Sequence, residues 1–268
     1  MSKQKVFHGI DFSGSKTPQA KIWVSTWVPG RKAVLESGFD FDRLLRLIKE
    51  SASDGKRHFF LIDTVFSLPH RLLIEHGIDT HWEEQMHWLA SFESALSWRK
   101  ACRAVNRKEF KRLTDRINKA PFPPTNVRMF RQTWCGMVFV LKSLRKAKNV
   151  AVLPFDVLLK PQVWRKSPIW VGEGCPACFL RKEGLPYRNY KGKEKGCMET
   201  RKKLLYFLKE REGIEIDSET ASLLIKQSGA DALDSLLLLP SAKKLPTQNH
   251  EELFRKWPDV AKEGWIYV

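Results

Sequence analysis

Two apolar runs that each end in an aspartate, separated by further strand-like segments and one helix, constrain this chain more than any other feature. Val6-Phe7-His8-Gly9-Ile10 closes on Asp11, and Phe59-Phe60-Leu61-Ile62 closes on Asp63. A strand that ends in a carboxylate delivers it to the rim of a sheet, where water and a cation reach it, whereas a mid-strand aspartate would have to be buried and paired. Val6 to Phe12, Lys21 to Val28 and Lys32 to Ser37 are short runs separated by Gly14-Ser15 and Pro29-Gly30, a pattern that predicts three successive antiparallel strands. Asp40 or Asp42 then caps a helix carrying Leu44, Leu45, Leu47 and Ile48, and Gly55 leads into Arg57 to Asp63. A right-handed crossover through that helix predicts a strand parallel to the first, so that Asp11 and Asp63 emerge side by side if the two strands are neighbours.

Three more acids occupy comparable places. Glu173 follows Ile169-Trp170-Val171, and Asp231 and Asp234 stand three apart at the start of an apolar helix that begins at Ala230. That spacing puts both aspartates on one helix face while Leu233, Leu236 and Leu237 bury the other. Carboxylates converging on one rim repel one another unless a divalent cation sits among them. For Asp231 alone, an N-cap role is the alternative.

After Pro69 the pattern turns helical. Trp82, Met86, Leu89 and Leu96 share one face and Phe130, Trp134, Val138, Leu141 and Leu144 another, on either side of the breaker Pro121-Phe122-Pro123-Pro124. Asn149 to Pro154 and Ile169 to Glu173 return to strand composition, followed by helices from Thr200 to Lys209 and from Ser218 to Gln227. The expectation is one α/β domain over residues 1–268, with a basic helical insertion at about 70–148 after the fourth strand.

The formal charge of +17 is concentrated: residues 98–131 hold 11 Lys/Arg against 2 Asp/Glu, and residues 181–211 hold 11 against 4. Phe110, Phe122, Phe130, Tyr187 and Tyr190 are interleaved with these cations, a combination that suits phosphate backbones and stacked bases. A solvated helix face is the competing explanation for either run. No apolar stretch reaches membrane-spanning length, and five cysteines without a secretory leader fit a reducing compartment, so a cytoplasmic protein is expected.

In order along the chain, several segments resemble the predicted nucleases of RNase H-like fold catalogued as a domain of unknown function. Gly9-Ile10-Asp11-Phe12-Ser13 is similar to their first strand and Leu61-Ile62-Asp63-Thr64-Val65-Phe66-Ser67-Leu68-Pro69 to their second acidic block. Thr114-Asp115, Ala120 to Arg128 and Gln132-Thr133-Trp134 resemble their insert. Glu173-Gly174-Cys175-Pro176-Ala177, Tyr190-Lys191-Gly192, Ala230-Asp231-Ala232-Leu233-Asp234 and Glu263 to Tyr267 are similar to their later elements. This version departs at Thr64-Val65 and at Cys178, and neither departure touches a carboxylate.

The resemblance implies an RNase H-like mixed five-stranded sheet, ordered 3-2-1-4-5 and flanked by helices. It also implies a nuclease hydrolysing the phosphodiester bonds of DNA or RNA with Mg²⁺ or Mn²⁺, ions that suit an oxygen-only ligand set. Asp11, Asp63 and Asp234 are then the metal ligands, with Glu173 and Asp231 as outer ligands or water-orienting groups, and Lys191, Asn126 and Arg128 as phosphate contacts. Two alternatives stay open: a non-catalytic nucleic-acid-binding module, and an actin-like ATP-dependent phosphotransferase suggested by Gly9 to Lys16. Cys175-x-x-Cys178 with Cys197 is a weak zinc signal, because no fourth Cys or His lies at pair spacing from Cys197.

Overall fold

The computed structural model describes residues 3–15, 17–18 and 21–268. The chain opens with β1 (Lys5–Asp11), β2 (Trp23–Trp27), β3 (Val34–Glu36), α1 (Phe41–Glu50) and β4 (Arg57–Asp63). Helices α2 (His70–Glu75), α3 (Trp82–Ala90), α4 (Ala95–Val105), α5 (Leu113–Ile117), α6 (Phe130–Cys135) and α7 (Lys142–Arg145) follow, the last two joined by a π-helical turn over Gly136–Leu141. Next come β5 (Val150–Val152), α8 (Phe155–Leu159), β6 (Ile169–Gly174), α9 (Pro176–Lys182), α10 (Lys195–Glu210) and α11 (Ser218–Lys226). The chain closes with α12 (Asp231–Leu237), α13 (Leu239–Lys244), α14 (His250–Lys256), α15 (Val260–Glu263) and β7 (Ile266–Tyr267). Among the described residues no helix is long and apolar enough to cross a membrane.

The sheet is mixed and has seven strands in the order 3-2-1-4-6-5, with β7 also paired to β6. This corrects the expected five-stranded 3-2-1-4-5 arrangement. The first four strands take the anticipated places, but β6 lies against β4 and pushes β5 to the edge. The reason is pairing capacity: β5 contributes only Val150 to Val152 to its ladder, whereas β6 pairs with β4 from Ile169 to Glu173 and is buried throughout. The longer strand, buried along its whole length, takes the central position, where both faces are covered.

Strand pleating separates two cores. Ile10, Phe60, Ile62, Ile169 and Val171 face α1 and the helices between β4 and β5, while Phe7, Phe59, Leu61 and Trp170 face α12 and α13. Side chains alternate along a strand, so each strand supplies both cores in turn. The buried His8 is satisfied by short contacts, with Nε2 3.0 Å from His58 Nδ1 and Nδ1 3.0 Å from the Thr26 hydroxyl, while His58 Nε2 lies 2.9 Å from Asp54.

Gly9 is required by close approach. A Cβ there would lie 2.0 Å from the Ser235 carbonyl oxygen, so the bare backbone of β1 lets α12 rest directly on the sheet. Ser25 of β2 locks the contact by donating to the Ser235 carbonyl at 2.7 Å. This packing sets the height of Asp234 above the strand ends.

Candidate active site

Asp11 and Asp63 are register partners at the carboxyl ends of the adjacent parallel strands β1 and β4. Both continue the phase of Phe7 and Gly9, or of Phe59 and Leu61, so the pleat turns them toward the face covered by α12. Asp234, in the first turn of that helix, is 2 % exposed. One of its oxygens accepts from the Tyr190 hydroxyl at 2.8 Å and the other lies 2.5 Å from Lys191 Nζ. Asp231, one turn earlier, lines the same cleft; the N-cap residue is Ala230, so Asp231 is the first helical residue rather than the cap.

Glu173 lines the same cleft and helps to raise the Asp63 carboxyl, but it is held differently from the aspartates. It continues the phase of Ile169 and Val171, beside Ile62 in the register, and therefore leaves the sheet on the opposite face. There it meets the buried Arg112: Nη1 donates to Oε2 at 2.7 Å and Nη2 to Oε1 at 2.5 Å, and the Phe66 N–H donates at 3.0 Å. Asp115 takes further donors of the same guanidinium at 2.8 and 3.2 Å. The expected outer-ligand carboxylate is thus one arm of a buried Glu–Arg–Asp triad, and Arg112 is withdrawn from the basic surface in which its sequence context places it.

The phosphate-contact candidates divide as well. Lys191 and Arg128 line the cleft, whereas Asn126 is absent from its lining and donates to Glu109 at 2.7 Å. Four residues that sequence reasoning left without a site role shape the centre. Arg112 and Tyr190 act as described. Gln132 on α6 donates its side-chain amide N–H to the Asp63 backbone carbonyl, and its backbone carbonyl accepts from Thr64 Oγ1 at 3.0 Å. Arg201 on α10, fully buried, donates to the carbonyls of Tyr190 and Gly192 at 2.5 and 3.0 Å, which fixes the loop that presents Lys191.

No protein-family model, curated protein or solved structure matches the chain. The chemistry of the site therefore has to be argued from its own geometry.

The carboxylates lie on the floor of a cleft of about 1200 Å³. Lys111, Arg116, Lys119, Arg128, Arg181 and Arg188 line its walls. Among the described residues the cleft's ion pairs are Arg112 with Asp115 and Glu173, and Lys191 with Asp234, so those six cations have no carboxylate partner. Several are held on backbone instead: Lys111 Nζ donates to the Ala120 carbonyl at 2.6 Å, Arg116 to the Lys111 carbonyl at 3.0 Å, and Arg181 to the Lys119 carbonyl. Lys119, Asn189 and Ala230 are the non-glycine residues with positive φ among the described residues, at 54°, 59° and 60°. The first two line the cleft and the third precedes Asp231, so backbone strain is stored around the site.

The floor is electrostatically unbalanced. Burial, reinforced by Asp234, Asp63 and Asp231, pushes the Asp11 carboxyl well above the carboxylate range, with Lys191 pulling against it. Burial and Asp234 push Asp63 up to about 7, again opposed by Lys191. Burial raises Asp234 too, against the pull of Lys191 and Tyr190. Burial alone would lower the Lys191 ammonium, but Asp234, Asp11 and Asp63 outweigh it and hold the group above its ordinary value. Among the described residues, Lys191 is thus the cation that pulls against the raised pKa values of Asp11, Asp63 and Asp234.

This imbalance has a measurable consequence. An aspartate ionises near pH 3.9 in an unfolded chain, whereas Asp63 holds its proton until about pH 7 in the folded state. Between those values the folded state binds the extra proton, so stability falls as pH rises through the window. In the presence of a chelator, the melting temperature is expected to decline from pH 4 to pH 7, and Asp63→Asn to remove part of that decline. Parallel slopes for the two proteins would refute the assignment.

For a divalent cation, the donor set is all oxygen, buried and short of positive charge, which suits Mg²⁺ or Mn²⁺ better than zinc. Among the described residues no group of three His, Cys, Asp or Glu side chains is disposed to hold a metal ion in this conformation, in which Lys191 Nζ stands against Asp234. Cys175 Sγ accepts from the Cys178 N–H at 3.3 Å as the cap of α9, and Cys197 Sγ lies 3.4 Å from the Lys191 carbonyl. Lys16, the end of the phosphate-loop-like run, lies outside the described residues. Gly14 of that run is packed against backbone: a Cβ there would lie 2.4 Å from the Arg131 carbonyl oxygen.

Proposed function

We propose that this protein is a nuclease that hydrolyses phosphodiester bonds with Mg²⁺ or Mn²⁺ held by Asp11, Asp63 and Asp234, and that it belongs with the RNase H-like predicted nucleases it resembles. The observation that carries this reading is the pairing of opposites in one cleft: a floor of mutually repelling buried aspartates beneath walls of unpaired Lys and Arg. A bare anion-binding surface gains nothing from such a floor, since unneeded acids weaken the attraction for phosphate. A divalent ion in the aspartate cluster would supply positive charge at the scissile phosphate and lower the pKa of a bound water.

The residues of the chain have distinct tasks in this scheme. Asp11 and Asp63, fixed by strand pairing, provide an immobile pair of ligands. Asp234 completes the set once Lys191 leaves it. Lys191, half exposed on the loop that Arg201 holds, then reaches the phosphate that replaces Asp234 as its partner. Asp231, nearer the mouth, accepts a proton from or orients the attacking water. Arg128 and the other wall cations hold the polyanion in register without reading its sequence.

A thermal-shift titration tests the ligand set. Mn²⁺ or Mg²⁺ is expected to raise the melting temperature of the wild type, because an ion that binds only the folded state stabilises it by mass action. Asp11→Asn and Asp63→Asn are expected to fold and to lose that gain. Equal stabilisation of both variants and the wild type would exclude the assignment.

A further inference from the structure

The cleft does not end at its own wall. A second groove of about 700 Å³ adjoins it, lined among others by Asn118, Lys182 and Leu185. Lys119, Arg181 and Tyr187 line both spaces and so form a saddle between them. The saddle is built. The Arg181 guanidinium lies 4.1 Å from the centroid of the Tyr187 ring and donates to the Lys119 carbonyl, tying α9 to the segment after α5. Arg188 covers the same ring at 5.3 Å. Arg181 Nε is buried without a hydrogen-bond partner, and Lys119 adopts a left-handed backbone conformation at the crest. On the cleft side, Arg128 packs 5.1 Å from the Phe122 ring and repeats the pairing of a guanidinium with an aromatic face.

We propose that the saddle and second groove bind a single-stranded extension of the nucleic acid whose scissile phosphate lies over the aspartates, with Tyr187 and Arg181 as the stacking platform. The proposal rests on the nuclease reading for the location of the scissile phosphate and on the saddle alone for the path of the strand. Cations follow a phosphate backbone, and the half-buried Tyr187, stiffened by two guanidinium groups, forms with Arg181 a cation–π pair beside which an unstacked base can stack; cations paired with aromatic rings are the means by which single strands are held without sequence preference. In a duplex the bases are already stacked and paired, leaving no free face for Tyr187 to cover.

The test is fluorescence anisotropy in EDTA, so that binding is read without turnover, with labelled single strands of four and twelve nucleotides and a blunt twelve-base-pair duplex. The wild type is expected to bind the twelve-nucleotide strand at least about tenfold more tightly than either other probe. Tyr187→Ala is expected to cost the long strand about tenfold in affinity and to leave the short strand unchanged, and Tyr187→Trp to restore the loss. Lys119→Ala should reduce the salt slope for the long strand by roughly one. Equal affinity for long strand and duplex, or equal loss for long and short strands in Tyr187→Ala, would overturn the proposal, as would an acidic peptide of matched charge binding as tightly. Metal-dependent cleavage without length-dependent binding rejects the saddle and retains the nuclease reading; length-dependent binding without cleavage does the reverse.

Discussion

Asp234→Asn is expected to reduce metal-dependent phosphodiester cleavage by about 10³-fold or more while leaving the fold intact. The asparagine is nearly isosteric, and its carbonyl oxygen still accepts the Tyr190 hydroxyl that holds Asp234 at 2.8 Å. Binding of nucleic acid in a chelator should be retained or strengthened, because one negative charge facing the phosphate has gone and Lys191 is released from its 2.5 Å ion pair. The measurement pairs cleavage of single-stranded, duplex, hybrid and junction substrates with ATP turnover, for wild type and variant side by side. Cleavage by the variant at the wild-type rate would remove Asp234 from the mechanism. ATP turnover without cleavage of any substrate would favour the phosphotransferase, and binding without either activity would leave a nucleic-acid-binding module.

The second large effect is on stability. Arg112→Met strands the Glu173 and Asp115 carboxylates in a site where all three side chains are almost wholly buried. Removing one partner from such a buried network costs about 3–5 kcal/mol, which for a chain of this length lowers the melting temperature by roughly 10 °C. The loss should be smaller at pH 5 than at pH 8. Burial already raises the Glu173 carboxyl above its ordinary value, with Arg112 pulling against it, so a chain without Arg112 recovers by binding a proton there. Adding Glu173→Gln and Asp115→Asn to Arg112→Met should restore much of the loss, since the uncompensated charges are gone. Thermal denaturation of the single and triple variants at both pH values checks this. A melting temperature within two degrees of wild type for Arg112→Met would refute the triad as a stabilising unit.

Much of the site was legible because it depends on local rules. The aspartate that ends each of two apolar runs is a statement about strand ends, and the three-residue spacing of Asp231 and Asp234 is a statement about a helix face; the structure brings Asp11, Asp63 and Asp234 into one cleft. Glu173 follows the same logic for position along its strand but not for direction, because direction depends on the phase of the pleat. Ile169 and Val171 alternate with Trp170, and counting from them assigns Glu173 to the face of Ile10 and Ile62 rather than that of Asp11 and Asp63. That count needs the register between β4 and β6, which comes from pairing across more than a hundred residues.

The strand order escaped prediction for the same reason. Composition marks β5 and β6 alike as strands and does not say which one pairs with β4. Arg112 was hidden by its neighbours, since a run of cations looks solvated unless an acid is seen at hydrogen-bonding distance. The nearest local signal was Asp115 three residues on; its other partner lies 61 residues away. Lys191 was legible as a cation but not as the counter-charge of the aspartates, which only the buried Arg201 and the loop it holds make evident.

The ties between the segment spanning α2 to α7 and the sheet bear on how the protein can be cut down. Gln132 hydrogen-bonds to the backbone of Asp63, Trp82 Nε1 donates to the Phe66 carbonyl, Arg112 neutralises Glu173 of β6, and Glu263 near the end of the chain accepts from the backbone of Leu113. These contacts fasten the segment to the end of β4, to β6 and to the approach to β7. An engineer seeking a minimal scaffold by splicing β4 directly to β5 would strip a wall from the cleft and leave a buried acid without its partner. The segment behaves as a keystone rather than an appendage, and loop grafting is better directed to the exposed turn between β2 and β3, at Pro29 to Lys32, which lies away from the cleft.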